Sequence, residues 1–289
     1  MLPIPPRVLA AVLGLVALSG CAAPPTVRVL REPPLPYPPS ARERVVRLAL
    51  GEWHEWGDMV SEPGGPRPVG PGPETSLSAF PRVLAYWRAV GDEGGAIARN
   101  RVRYAAALHG AATTPWSEPA WSAAFISWVM RSAGVDAREF PGSASHAFYL
   151  DGLLADARDF PALAPFVPHG VAERAPVPGD LVCADRSRRP LRDWRERMAE
   201  AGQFRPMHCD VVVRAVPFSV EAVGGNIADA VTLSRFAADG AGYLVPRPAG
   251  EPIFFAVMEN RLGLLPPFGS PGGLPDGVGR PSAQGVPGS

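Results

Sequence analysis

The chain has 289 residues with Lys+Arg and Asp+Glu at 28 each, and the resulting zero net charge argues against a nucleic-acid binder working by bulk charge. Its 46% hydrophobic content is ample for a sizeable core, and the length fits one ordinary domain with appendages. The 36 prolines and 31 glycines place many segments outside regular structure.

The N-terminus reads as a targeting segment. MLPIPPR carries one positive charge, VLAAVLGLVA is a short apolar run, and Leu18-Ser19-Gly20-Cys21 follows. The run falls short of the roughly 20 residues that cross a bilayer, so residues 1–20 are expected to be a signal peptide. The last four residues resemble the bacterial lipobox, which implies cleavage before Cys21 and lipid modification of that residue. Several acyl chains on one residue anchor stably where one does not. Ala22 in place of an aspartate implies an outer-membrane lipoprotein facing the periplasm.

Residues 21–40 are proline-rich and are expected to form an extended tether to a domain covering 41–262. ARERVVRLALGEWHEW (41–56) has the apolar spacing of an amphipathic helix, and 61–75 is a loop by composition. Further helices are expected near 78–90, 97–109 and 118–133, within a helical part spanning 41–160. The character then changes. VPGDLVCA (177–184), HCDVVVRAV (208–216), FSVEAVGGN (218–226), ADAVTLSRF (228–236) and GYLVPRP (242–248) read as strands of a small antiparallel sheet within 176–248. An arginine-rich insertion, 185–207, separates the first two and is helical near 191–201; a solvated face is its default reading, an anionic polymer its alternative. The tail 263–289 is expected to be disordered. Helices followed by strands define an α+β fold.

Three separated stretches carry the chemistry. Trp121-Ser122-Ala123-Ala124-Phe125 opens a helix, His208 opens a strand after PGDLVC, and Gly224-Gly225-Asn226 closes the next strand. These stretches, over about 115–247, resemble the NlpC-type and CHAP papain-like amidohydrolase/peptidases, and with YWRAVG (86–91) look most like a bacterial lipoprotein family of unknown function allied to them. The resemblance implies a papain-like domain with N-terminal helices packed on the sheet. It also implies Ser122 as nucleophile in place of the usual cysteine, His208 as general base and Asn226 as the residue that orients the imidazole. Trp121, Trp116 and His146 are candidate substrate-binding residues, although such tryptophans are more often core and such a histidine more often a core or loop residue.

The helix start is a sensible place for such a nucleophile, because the positive end of the macrodipole favours a developing anion. A serine nevertheless needs a base to take its proton. Gly224 stands where CHAP sites often carry a glutamate. Two functions therefore stay open: a hydrolase of amide or peptide bonds in peptidoglycan, or an inactive module of the same fold that binds peptidoglycan or an envelope protein. No cofactor is expected, and HExxH and CxxC are absent, so no metal site is expected either. If VPGDLVC and HCDVVV pair antiparallel, Cys183 and Cys209 become neighbours and form a disulfide.

Overall fold

The computed structural model describes residues 31–269 except 63, 66–71 and 117. The signal peptide, the lipidation site at Cys21, the first half of the tether and the tail from 270 onward lie outside the described residues. All the elements belong to the compact unit that begins at Pro33.

Among the described residues there are six α-helices: α1 (Ser40–Glu55), α2 (Phe80–Ala89), α3 (Ala96–Leu108), α4 (Ser122–Ser132), α5 (His146–Asp159) and α6 (Trp194–Ala199). Seven strands form one sheet: β1 (Val60–Ser61), β2 (Phe166–His169), β3 (Leu181–Asp185), β4 (Met207–Val216), β5 (Ser219–Ile227), β6 (Ala230–Ala237) and β7 (Ile253–Asn260). Their order is β1-β6-β5-β4-β3-β7-β2. The fold is α+β as expected, but the sheet is larger than expected and mixed, because β1 runs parallel to β6. GYLVPRP supplies only an isolated bridge between Ala238 and Leu244. Pro246 and Pro248 lack the N–H groups a ladder needs, which ends pairing there.

Alternation along the strands divides the apolar residues between two clusters. Leu181, Cys183, Cys209, Val211 and Val223 join the main core with the helices, whereas Val182, Val212, Ala222 and Phe254 form a smaller cluster. Helix α4 is buried along most of its length, and it meets β5 where Gly225 leaves room. A Cβ on Gly225 would lie 2.6 Å from Phe125 Cβ and 2.9 Å from Trp121 Cζ3, so only glycine permits this approach.

Two charged groups tie the layers together. Asp180, from the PGDLV stretch, accepts from Val177 N (3.0 Å), Asn260 N (2.9 Å) and Arg42 Nη2 (3.1 Å), which links α1 to β3 and β7. Glu139 is buried and accepts Leu35 N–H (2.9 Å) and Tyr37 O–H (2.8 Å), so the second half of the proline-rich stretch is held on the domain. At the other end Leu262 and Leu265 are buried, and packing extends past residue 263.

Cys183 and Cys209 are direct cross-strand partners on β3 and β4 and form a disulfide with a Cα separation of 4.1 Å. It closes the base of the arginine-rich insertion. The antiparallel pairing expected from the sequence is therefore what brings the two cysteines together.

Candidate functional site

The chain enters α4 through Trp121, whose φ and ψ of −108° and 12° are not helical, so Ser122 is the first helical residue. The helix begins four residues later than the spacing predicts, since Glu118–Ala120 form bends and coil instead. Ser122 nonetheless keeps its place at the positive end of the macrodipole. Helix α5, which the sequence reading left unassigned, begins at His146, so a second helix start meets the first.

Ser122 Oγ shares a hydrogen bond with His146 Nε2. The other ring nitrogen, Nδ1, lies 2.6 Å from Tyr149 Oη, one turn along α5. With the serine O–H donating to Nε2, the neutral ring carries its proton on Nδ1 and donates it to the tyrosine oxygen. Burial, and after it the charges of His208 and Arg186, hold the His146 pKa well below its usual 6.5. Burial holds the Tyr149 phenol well above 10, so it stays neutral.

Among the described residues the hydrogen bonds of Ser122 and His208 go to different partners, His146 and Asp210. The His208 ring centroid lies 5.3 Å from that of His146, and its Nε2 is 3.0 Å from Asp210 Oδ1 on the same strand. Residues two apart on a strand share a face, which makes H-x-D a local pair. Gly224, directly across on β5, leaves space for this pair. A Cβ there would overlap Asp210 Oδ1 and approach His208 Nε2 to 2.8 Å.

Asn226 makes its side-chain hydrogen bonds to the entry of α4 and to Glu74. Its Oδ1 accepts Trp121 N–H (3.2 Å) and its Nδ2 donates to Glu74 Oε2 (3.2 Å). It therefore braces the entry to α4 instead of orienting a histidine. Its φ of 58° is a left-handed conformation that asparagine adopts more readily than most residues. Trp121 Nε1 donates to the same Glu74 oxygen (2.6 Å). Burial and the charge of Asp229 outweigh these donors and push the Glu74 pKa up to about 7.

Trp116 and Trp121, candidates for substrate contact, take the alternative place in the core. Trp116 is 1% exposed, stacks on Trp87 and donates to Pro119 O (3.1 Å). Trp121 is fully buried and stacks on Trp56. His146, expected at most to line the cleft, is the group bonded to the serine. Tyr149, Asp210 and Glu74 join the predicted residues at the site, and the H-x-x-Y and H-x-D spacings on a helix and a strand are the sequence signals for the first two. Among the described residues no group of three or more His, Cys, Asp or Glu side chains is placed to hold a metal.

An α+β domain with a serine–histidine pair at converging helix starts is thus the class of molecule at hand. Residues 74–259 match the family model described as an uncharacterized protein conserved in bacteria, DUF2272, and the chain belongs to that family. The matched span contains Ser122, His146, His208 and Asn226 as well as both bridged cysteines. Neither the curated proteins nor the solved structures offer a match.

Proposed function

We propose that this chain is a serine-type hydrolase of the papain-like kind, anchored through a lipid on Cys21 at the periplasmic face of the outer membrane. Its proposed substrate is an amide or peptide bond of peptidoglycan. The observation that carries the chemistry is the hydrogen bond between Ser122 Oγ and His146 Nε2 at the start of α4.

In this reading Ser122 Oγ attacks the acyl carbon while its proton passes to His146 Nε2. Tyr149 fixes the ring so that Nε2 faces the serine. The N–H groups of Ser122 and Ala123 belong to the first turn, which has no intrahelical acceptors, and so can receive the developing oxyanion. His146 then returns the proton to the leaving amine as the C–N bond breaks, and water hydrolyses the acyl-serine. The base is therefore His146, not the His208 of the family resemblance, and Asn226 acts as a brace.

A second reading, a binding module that no longer turns over, draws on burial. Ser122 and His146 are 8% and 4% exposed, and a desolvated imidazole beside a neutral tyrosine resists the positive charge that catalysis requires. Incubation of the protein with purified peptidoglycan separates the two readings. Muropeptide release by the wild type that disappears in Ser122→Ala supports the hydrolase. Release only by Ser122→Cys supports the module.

A further inference from the structure

The insertion between β3 and β4 contains seven arginines, and they divide into two sets. Arg197 is buried on Asp151 (2.7 Å), Arg205 bridges Asp185 and Glu200 (2.8 and 2.7 Å), and Arg195 pairs with Asp193 and Glu173 (3.0 and 3.1 Å). Arg186, Arg188, Arg189 and Arg192 are exposed, and among the described residues no carboxylate pairs with their guanidinium groups. Four like charges within seven residues repel one another, so a merely solvated loop gains nothing by holding them together.

The loop is nevertheless built to hold them. Asp185 accepts Ser187 N–H (2.7 Å) and Leu191 N–H (2.8 Å), and Arg205 Nη1 ties Asp185, Ser187 Oγ (2.6 Å) and Arg189 O (3.0 Å) together. Leu191 is buried, and the Cys183–Cys209 bridge clamps the base. The sheet register then places the loop beside His208, whose ring centroid lies 5.3 Å from that of His146. Ala184 pairs with His208, and Arg186 N–H continues the ladder to Pro206 O (2.9 Å). Arg186 is two residues beyond Ala184, on the same face, and is thus a diagonal neighbour of His208. Its charge is felt at His146, where it adds to the lowering of the imidazole pKa.

We infer that the substrate of the Ser122 site bears an oxyanion, a carboxylate or a phosphate, and that the 186–192 loop receives it, with Arg186 nearest the chemistry. Guanidinium forks match both anions bidentately, and a rigid basic rim raises the local concentration of an anionic ligand. The substrate preference rests on the serine hydrolase reading; the anion site itself does not.

Two measurements on the full-length protein test it. The first compares hydrolysis of p-nitrophenyl acetate with that of mono-p-nitrophenyl succinate, which place a neutral and an anionic acyl group on the same leaving group. One charge-assisted contact corresponds to roughly tenfold or more in affinity. The anionic ester is therefore expected to show a kcat/KM at least about tenfold higher at low salt. This preference should shrink with added NaCl and fall to near unity in R186Q/R188Q/R189Q, whose fold is checked by near-ultraviolet circular dichroism. The second measurement titrates succinate and, separately, inorganic phosphate into Ser122→Ala protein at constant ionic strength. Binding that the triple substitution abolishes is expected, and the tighter of the two anions identifies the source. If neither ester is hydrolysed but anions bind through the arginines, the serine chemistry fails and the anion site stands. Equal use of both esters, or no arginine-dependent binding of either anion, overturns the inference.

Discussion

Replacing Glu74 with glutamine isolates the buried carboxyl that braces the start of α4. Glu74 is 8% exposed, and its carboxyl pKa rises from 4.5 to about 7 in the fold, chiefly through burial. A raised carboxyl pKa means that the folded chain holds a proton the unfolded chain has released between those two values. Stability from this group is therefore complete below pH 4.5, falls as pH rises, and has been lost by just above pH 7. The interval from 4.5 to 7 corresponds to at most about 3 kcal/mol, which treats the site as dry. Glutamine keeps an oxygen for the Trp121 Nε1 and Asn226 Nδ2 donors and removes the repulsion from Asp229. Urea unfolding of both proteins at pH 5 and pH 8 gives the assay. The variant should match the wild type at pH 5 to within about 1 kcal/mol and exceed it at pH 8 by about 2–3 kcal/mol. A difference that stays constant with pH, or a glutamine variant that is weaker at pH 8, would refute the reasoning.

Removing the disulfide as Cys183→Ala/Cys209→Ala opens a loop with a sequence separation of 26, and the lost loop constraint is worth about 3.5 kcal/mol in denaturant unfolding; a loss below about 1 kcal/mol would show that the insertion is held by its ion pairs alone. Gly225→Ala forces a methyl group against Phe125 and Trp121 and should cost about 1–3 kcal/mol by thermal unfolding; a neutral result would mean that α4 does not pack on β5 at this distance. Because His146 is held well below its usual 6.5, the acid limb of kcat/KM is expected below pH 6.5. An acid limb centred at or above 6.5 would point to a solvated histidine as the base.

The elements that were legible in the sequence are those with a clean period. Helices α1, α2 and α3 lie within one or two residues of their apolar spacing, and β3 to β6 stand where alternating or β-branched runs put them. Strand β7 has neighbours on both sides and is buried nearly throughout, so IFFAVMEN shows no alternation to read. Strand β2 carries Pro168, which demotes a run on sequence grounds and is tolerated here because β2 is an edge strand. The site was legible in part. Ser122 at a helix start follows from the pattern W-S-A-A-F, and the cysteine pairing follows from the strands. That Ser122 is bonded to His146, and not to His208, is hidden in the sequence because it depends on where α5 begins, a tertiary matter that no single-stretch motif contains. Asn226 was likewise placed near the serine by its motif, but its amide is occupied by a backbone N–H and a carboxyl three-dimensionally adjacent to it.

The central claim is that Ser122 is a nucleophile activated by His146. Treatment of the protein with a fluorophosphonate, followed by intact-mass measurement and peptide mapping, tests it without knowledge of the natural substrate. The expected result is one phosphonyl adduct on Ser122, absent in Ser122→Ala and slowed at least about a hundredfold in His146→Ala, but much less in His208→Ala. No adduct on the wild-type protein, or labelling unaffected by His146→Ala, would contradict the account.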